Sequence, residues 1–257
     1  MKIFINYSDK RFKSKQRFSA LMAKIFGGFD NVISYSPSNI DNSFYEKNKR
    51  ILDCERGGGY WLWKSYIINI SLELIDEGDY LFYCDAGAFF IKSVDYIISD
   101  MIKYQEDIAL FQLPLKESDF TNKYTLSFFN YDESMGVNQI LGGYICIKKT
   151  SETISFFKEY QRLCENEMLV TDYNTKKNEA HRHDQSILSL LSKKAKLKPF
   201  RDPSDYGEFP ARYYREGFYF NDEFVRGNYP TLILSNRKEN PVIYGLKYII
   251  RRISKWV

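Results

Sequence analysis

The feature that most constrains the fold of this chain is one short apolar run. Residues 80–84 (YLFYC) stand between Gly78-Asp79 and Asp85-Ala86-Gly87, with no charged residue inside the run. A strand that is apolar on both faces is typical of a parallel sheet covered by helices on both sides. The run therefore predicts a central, buried strand of an α/β domain, with Asp85 directly after its carboxyl end.

The remaining patterns complete an α/β domain. Predicted strands cover residues 2–7, 31–35, 108–113 and 139–148, and predicted helices cover about 12–26, 94–105, 152–167 and 183–194. A further amphipathic helix follows Gly57-Gly58-Gly59 and ends at Gly78. Residues 200–229 read as ordered loops. A length of 257 residues suits one full domain.

Composition narrows the class of protein. Hydrophobic residues make up 44% and charged residues 27%, as in globular proteins. Four cysteines without a CxxC pair and two histidines form no zinc pattern. The 21 Tyr and 20 Phe suit stacking on sugars or bases, but an AT-rich genome is the favoured explanation of them. The net charge of +4 is concentrated near the C-terminus, so no nucleic-acid groove is expected.

Asp85 is the first candidate site residue. Ligands of open α/β sheets bind beyond the carboxyl ends of the strands. A carboxylate at that position can hold a divalent cation, which prefers oxygen ligands and often bridges substrate phosphates. Ala86 and Gly87 leave room for a diphosphate to approach the backbone. The alternative is an aspartate that caps the following turn.

Two other segments concentrate functional groups. One segment is a predicted helix start, surrounded by Arg56, the three glycines that follow it and Lys64. Such a group suits an anion site. The alternative is a flexible hinge with a solvated lysine. Residues 181–186 (HRHDQS) open an apolar helix. There Asp184 is either a functional carboxylate or a simple N-cap, and the histidines are either site or surface residues.

Taken in order, GGGYWLWK, YCDAG, LGGY and HRHDQS resemble motifs of bacterial GT-A-type glycosyltransferases of surface polysaccharide (lipopolysaccharide, O-antigen or capsule) synthesis. The resemblance covers about residues 1–200. It implies a single GT-A-like, Rossmann-related domain with a mixed, mostly parallel central sheet. It also implies a nucleotide-sugar donor, with UDP favoured, and a glycan or lipid-linked glycan as acceptor.

The resemblance also implies residue roles. Asp85 would contact a metal or the ribose, Tyr7 would lie near the base, and Asp184 would lie close to the reacting sugar. Other substrate-binding positions would be Arg56, Lys64, Ala86, Gly87, Gly142, Gly143, His183 and Gln185, with the two glycines opening space for a sugar. The usual motif has a second acid where this chain has Gly87. The expected Mn²⁺ or Mg²⁺ would therefore depend on Asp85, helped by His183, or Arg and Lys would replace it.

The expected reaction is transfer of a sugar from a nucleotide donor to a hydroxyl. Asp184 would be the base of an inverting enzyme, or would position the donor sugar of a retaining one. One alternative is a nucleotidyltransferase that makes sugar nucleotides, although residues 6–11 lack the glycine-rich loop of that class. The other alternative is a non-catalytic binding protein of the same fold.

The C-terminal segment forms a separate expectation. Asn240-Pro241 starts a predicted helix, so the chain divides into a domain (1–240) and a basic amphipathic helix (241–257). Leu246, Ile249, Ile250, Ile253 and Val257 recur on one face, and Lys247, Arg251 and Lys255 on another. This pattern favours an anionic membrane surface as partner. Without an apparent signal peptide, the protein is expected in the cytoplasm, peripheral on the inner face of the membrane. The alternative is a helix packed on the domain with a solvated basic face.

Overall fold

The computed structural model describes residues 1–213, 226–236 and 239–254. Its strands are β1 (Lys2–Tyr7), β2 (Asn31–Tyr35), β3 (Tyr80–Cys84), β4 (Ala88–Phe90), β5 (Ile108–Lys116), β6 (Asn138–Lys148), β7 (Phe200–Arg201) and β8 (Ile233–Ser235). Its longer helices and single turns are α1 (Lys13–Ile25), α2 (Asn42–Lys47), α3 (Lys49–Leu52), α4 (Gly57–Tyr60), α5 (Leu62–Glu73), α6 (Asp95–Tyr104), α7 (Glu117–Phe120), α8 (Lys123–Phe128), α9 (Ser151–Cys164), α10 (Glu167–Val170), α11 (Asp184–Lys194), α12 (Asp205–Glu208) and α13 (Pro241–Ser254).

The central sheet has six described strands in the order β2-β1-β3-β6-β5-β7. Strand β6 is antiparallel to both of its neighbours, β3 and β5, and the other pairs are parallel. The mixed, mostly parallel sheet predicted from the sequence is therefore present. β4 and β8 form a separate antiparallel pair, which was not predicted because each strand has only three residues.

The alternation of side chains along the strands separates two cores. On one face, Ile5 and Tyr83 pack with apolar residues of α5, α9 and α11. On the other face, Phe4 and Phe82 pack with residues of α6 and with Ala23 of α1. Because both faces are covered, Leu81 to Cys84 are almost fully buried, which explains the unbroken apolar run.

Two predictions about secondary structure need correction, one for helix α5 and one for the segment predicted as loops. Helix α5 is buried around most of its circumference, since it packs against α9 as well as β1 and β3, and it ends at Glu73 with Leu74 exposed. The apolar side of α5 is therefore wider than the predicted amphipathic pattern, and the helix ends earlier than predicted. The segment predicted as loops contains β7 and α12, and residues 214–225 of that segment lie outside the described residues.

The C-terminal helix begins as predicted. The side chain of Asn240 accepts a hydrogen bond from the backbone N–H of Val242 (2.9 Å), and α13 extends from Pro241 to Ser254. Tyr244 and Tyr248 bury the helix against Phe89, Phe209 and Leu234. Among the described residues, no helix has both the length and the apolar character needed to cross a membrane.

Candidate functional site

The carboxyl ends of β1 and β3 open into a pocket of about 1260 Å³. Because β6 runs antiparallel, its first half lies beside the end of β3, with Cys84 paired to Tyr144. The first residues of α11 complete the wall. All eleven residues predicted as site residues line this pocket: Tyr7, Arg56, Lys64, Asp85, Ala86, Gly87, Gly142, Gly143, His183, Asp184 and Gln185.

Asp85 lies at the strand end with its side chain held in place. The Tyr83 hydroxyl donates to its Oδ1 (2.7 Å), and its backbone N–H donates to the carbonyl oxygen of Gly143 (2.9 Å). A Cβ atom on Gly143 would lie 3.3 Å from Asp85 Oδ2. The glycine therefore leaves room for the carboxylate of Asp85.

Gly142 has a similar relationship with Gln185. Its N–H donates to Gln185 Oε1 (3.0 Å), and a Cβ atom at this position would lie 3.0 Å from the Cβ of Gln185. Both glycines line the pocket. The space that their missing side chains leave is next to Asp85 and Gln185.

Lys64 and Asp184 form a buried ion pair. Lys64 Nζ lies 2.6 Å from Asp184 Oδ2 and also donates to the carbonyl oxygen of Gly142 (2.9 Å). Tyr160 donates its hydroxyl to the same carboxylate (3.2 Å). Burial raises the pKa of Asp184, and the Lys64 ammonium opposes that rise. The alternatives of a solvated lysine at a hinge and a simple N-capping aspartate are both wrong.

The glycine segment is a left-handed turn. Gly57, Gly58, Gly59, Tyr60 and Trp61 all have φ between 50° and 94°, and α5 begins only at Leu62. A Cβ on Gly59 would lie 2.7 Å from the Cα of Leu52, so no other residue fits there without a shift. The glycines therefore precede the helix as predicted, but two further left-handed residues, Tyr60 and Trp61, separate them from its first turn.

This turn builds an aromatic wall. The indole of Trp63 donates to the carbonyl oxygen of Gly57 (3.0 Å) and stacks on the ring of Tyr7 with centroids 3.8 Å apart. Trp61 lines the pocket as well. Arg56, which precedes the turn, pairs with Asp172 at 2.8 Å.

Both histidines are buried, so the reading of them as surface residues was wrong. His181 Nε2 bonds to the carbonyl oxygen of Leu169 (2.7 Å), and His183 Nδ1 to that of Val170 (2.8 Å). Burial, and secondarily the neighbouring His181, lower the pKa of His183 to about 4.

The backbone of His183 is strained. It has φ 54° and ψ −119°, a combination that glycine dominates at the first central position of type II′ turns. Within the described chain, its Nε2 has no hydrogen-bond partner. Such strain costs of order 1–3 kcal/mol and is concentrated at functional sites. His183 is therefore held at the pocket wall as a neutral ring.

The donor set for a divalent cation is incomplete. Among the described residues, no group of three or more His, Cys, Asp or Glu side chains could hold a metal ion. Asp184, the buried acid nearby, is paired with Lys64. The residues present therefore do not fit a cation held by the protein alone.

Several pocket residues were missed in the sequence; three of them lie inside the motifs GGGYWLWK and HRHDQS, and the others come from segments without a motif. The missed residues are Trp61, Trp63, Arg182, Tyr206, Asn236, Glu239 and Tyr244. Arg212 and Tyr213, which lie in the segment predicted as loops, also line the pocket. The aromatic residues around Lys64 were the available signal, but their period resembles that of core residues.

Comparisons with known proteins bear on the fold. No family model and no curated protein matches the chain. Mouse xyloside xylosyltransferase 1 in its apo form is similar in structure, with a TM-score of 0.54, 7% identity, and coverage of 93% of this chain and 99% of that chain. A galactosyltransferase LgtC complex with donor and acceptor sugar analogues has a TM-score of 0.48 and 12% identity over 92% and 87% of the two chains. The glycosyltransferase GlyE of Streptococcus pneumoniae TIGR4 has a TM-score of 0.45 and 14% identity, with coverage of 93% of this chain and 55% of that chain. At such identities the likeness concerns the fold alone: this chain has the GT-A-like fold of glycosyltransferases.

Proposed function

We propose that the protein transfers a sugar from a nucleoside diphosphate donor, with UDP favoured, to a hydroxyl of a glycan or lipid-linked glycan. The observation that carries the proposal is the pocket at the carboxyl ends of β1 and β3, with Asp85 at its floor, in a fold shared with a xylosyltransferase. Ligands of such sheets bind at this edge.

The donor base would lie near the aromatic wall. Tyr7 and Trp63 already stack on each other, so their stack offers a flat, rigid edge to a nucleobase. Asp85 would then face the ribose or the donor sugar. Its position is fixed by Tyr83 and Gly143, which suits recognition of hydroxyl groups.

The leaving diphosphate gains negative charge as the glycosidic bond breaks, and catalysis requires cations or dipoles directed at that charge. Lys64 is committed to Asp184 and to the Gly142 carbonyl. We therefore assign the diphosphate to Arg56 and Arg182, which line the pocket. The side chain of Arg56 is 55% exposed, so it can turn from Asp172 to a phosphate.

Asp184 fits a positioning role better than that of a base. A general base must reach the acceptor hydroxyl within hydrogen-bond distance. The Asp184 side chain is 4% exposed and accepts hydrogen bonds from Lys64 and Tyr160. We propose that this ion pair fixes the start of α11, so that Gln185 and His183 face the donor sugar.

The order of the motifs also supports a role in surface polysaccharide synthesis, on the inner face of the cytoplasmic membrane. Helix α13 carries three basic residues and no acid in residues 241–254. A lipid-linked acceptor would be encountered there.

The test is calorimetric binding and slow hydrolysis across a panel of nucleotide sugars, in manganese and in EDTA. Saturable binding of one donor with release of its sugar is expected. Because one carboxylate is a weak cation site, binding in EDTA is expected within about threefold of binding in manganese. Binding without hydrolysis or transfer would favour the non-catalytic protein. Release of pyrophosphate from a nucleoside triphosphate and a sugar phosphate would favour the nucleotidyltransferase.

A further inference from the structure

We infer that α1 and α13 together form one docking face for an anionic lipid bilayer, beside the pocket. The sequence pattern pointed to the C-terminal helix alone. The tertiary structure adds a second helix and an orientation. The inference concerns the surface by which the protein binds a membrane. Only its consequence for the acceptor rests on the proposed function.

Helix α13 turns its apolar face away from the domain. Tyr244 and Tyr248 point inward and are buried. The opposite side of the helix carries six aliphatic side chains that are each at least half exposed: Val242, Ile243, Leu246, Ile249, Ile250 and Ile253. An exposed apolar face that runs along a whole helix indicates an interaction surface.

Helix α1 presents a similar face. Phe18 and Met22 pack on the same cluster as Tyr244 and Tyr248. Leu21 and Ile25, three or four residues away on the helix surface, are 52% and 58% exposed. We call the six exposed aliphatic residues of α13, with Leu21 and Ile25, the docking face.

The two helices adjoin each other and the pocket. A small cavity is lined by Lys15 and Phe18 of α1, by Pro241 at the start of α13, and by Gly87. Arg11 and Phe12, just before α1, and Tyr244 of α13 line the main pocket. The docking face therefore lies next to the pocket.

The basic residues of α1 and α13 favour an anionic bilayer as the partner of the docking face. Residues 10–26 contain six basic residues and no acid: Lys10, Arg11, Lys13, Lys15, Arg17 and Lys24. Helix α13 adds Lys247, Arg251 and Arg252. Lys247 and Arg252 pair with Glu239 and Glu208, so the face is partly neutralised on its domain side. A second copy of the chain would bring two such basic surfaces together, which is unfavourable, whereas anionic headgroups complement them.

A consequence follows for the acceptor. With the docking face on the bilayer, the adjoining pocket would lie close to the headgroups. An acceptor sugar can then enter while a lipid carrier stays in the membrane. The geometry thus points to a lipid-linked acceptor rather than a free oligosaccharide.

The test is sedimentation of the full chain with vesicles, without any nucleotide sugar. Vesicles contain phosphatidylcholine alone or with about one third phosphatidylglycerol. Binding to the anionic vesicles is expected. Two double variants, Leu21→Gln/Ile25→Gln on α1 and Leu246→Gln/Ile250→Gln on α13, are each expected to lose about tenfold in apparent affinity, since each removes buried apolar area.

The matched control is Leu74→Gln/Ile102→Gln, which alters two aliphatic residues that are at least as exposed, 64% and 65%, directly after α5 and on α6. It is expected to bind like wild type. Wild-type binding by the α1 variant would overturn the two-helix face, as would equal binding to neutral vesicles. A wild-type dimer in ultracentrifugation that the α13 variant dissociates would show that a second copy covers the face. Because no donor is present, these outcomes are independent of the proposed reaction.

Discussion

Lys64 Nζ lies 2.6 Å from Asp184 Oδ2, and each side chain is only 4% exposed. The two residues are 120 positions apart, and they join α5 to the first residue of α11. Through the carbonyl of Gly142, the same ammonium also contacts β6. One buried cation therefore ties together three elements that border the pocket.

Replacing one member of this pair leaves the other as an uncompensated buried charge. Lys64→Met is expected to lower the free energy of unfolding by about 3–5 kcal/mol in urea titrations. The double variant Lys64→Met/Asp184→Leu is expected to cost much less than the sum of the single changes. The control is Lys47→Met, which breaks the ion pair with Glu165, also 2.6 Å long but with Lys47 69% exposed. It is expected to cost less than about 1 kcal/mol, and equal losses in both variants would contradict the argument.

Asp85→Asn tests the strand-end carboxylate. Because the amide oxygen of Asn can still accept from Tyr83, stability is expected to stay within about 1 kcal/mol of wild type. Donor hydrolysis and transfer are expected to fall about 100-fold or more, since a fixed charge at the reacting sugar is lost. Asp107→Asn, at the amino end of β5 on the opposite edge of the sheet, serves as control and should retain activity. Near-normal turnover by Asp85→Asn would refute the assignment.

Gly143→Ala tests whether the position of that carboxylate matters. The new methyl group would lie 3.3 Å from Asp85 Oδ2, so the carboxylate must shift by a few tenths of an ångström. We expect turnover to fall about tenfold, because small displacements of a catalytic group reduce rates steeply. The comparison is Gly245→Ala in α13, where no other part of the described chain lies within 4 Å of the new Cβ. That variant should gain about 0.5–1 kcal/mol of stability with unchanged turnover. If Gly143→Ala has wild-type kinetics, the contact has no catalytic importance.

The lowered pKa of His183 predicts a pH dependence of stability. Its pKa is about 4 in the folded protein and 6.5 in the unfolded chain, so between these values the unfolded chain binds more protons. Stability should therefore fall as the pH decreases from 6.5 towards 4, by up to about 3 kcal/mol from this residue. His183→Gln is expected to flatten this part of the curve in urea titrations at several pH values. An unchanged slope would show that His183 does not titrate across this range.

Local elements were largely predictable. β1, β2 and β3 have the bounds expected from their apolar runs, and α13 starts at the Asn-Pro signal. These features depend on neighbours in the chain, through periodicity, caps and glycine. The pocket wall was predictable in part, because Asp85 follows directly on a strand that had to be buried.

The long-range relationships were not predictable. Whether Lys64 meets solvent, a phosphate or Asp184 depends on how α5 and α11 pack around β6. The same holds for the glycines of β6, whose use became evident only beside Asp85 and Gln185.

By itself, the sequence determined the longer strands and helices and that a carboxylate follows the central strand, since these depend on short-range periodicity. Only the tertiary structure decided the antiparallel direction of β6, the burial of Lys64 against Asp184, and the outward turn of the apolar face of α13. The physical reason is that a hydrophobic period identifies the apolar side of an element but not what covers it. That choice is made by packing between residues far apart in the chain.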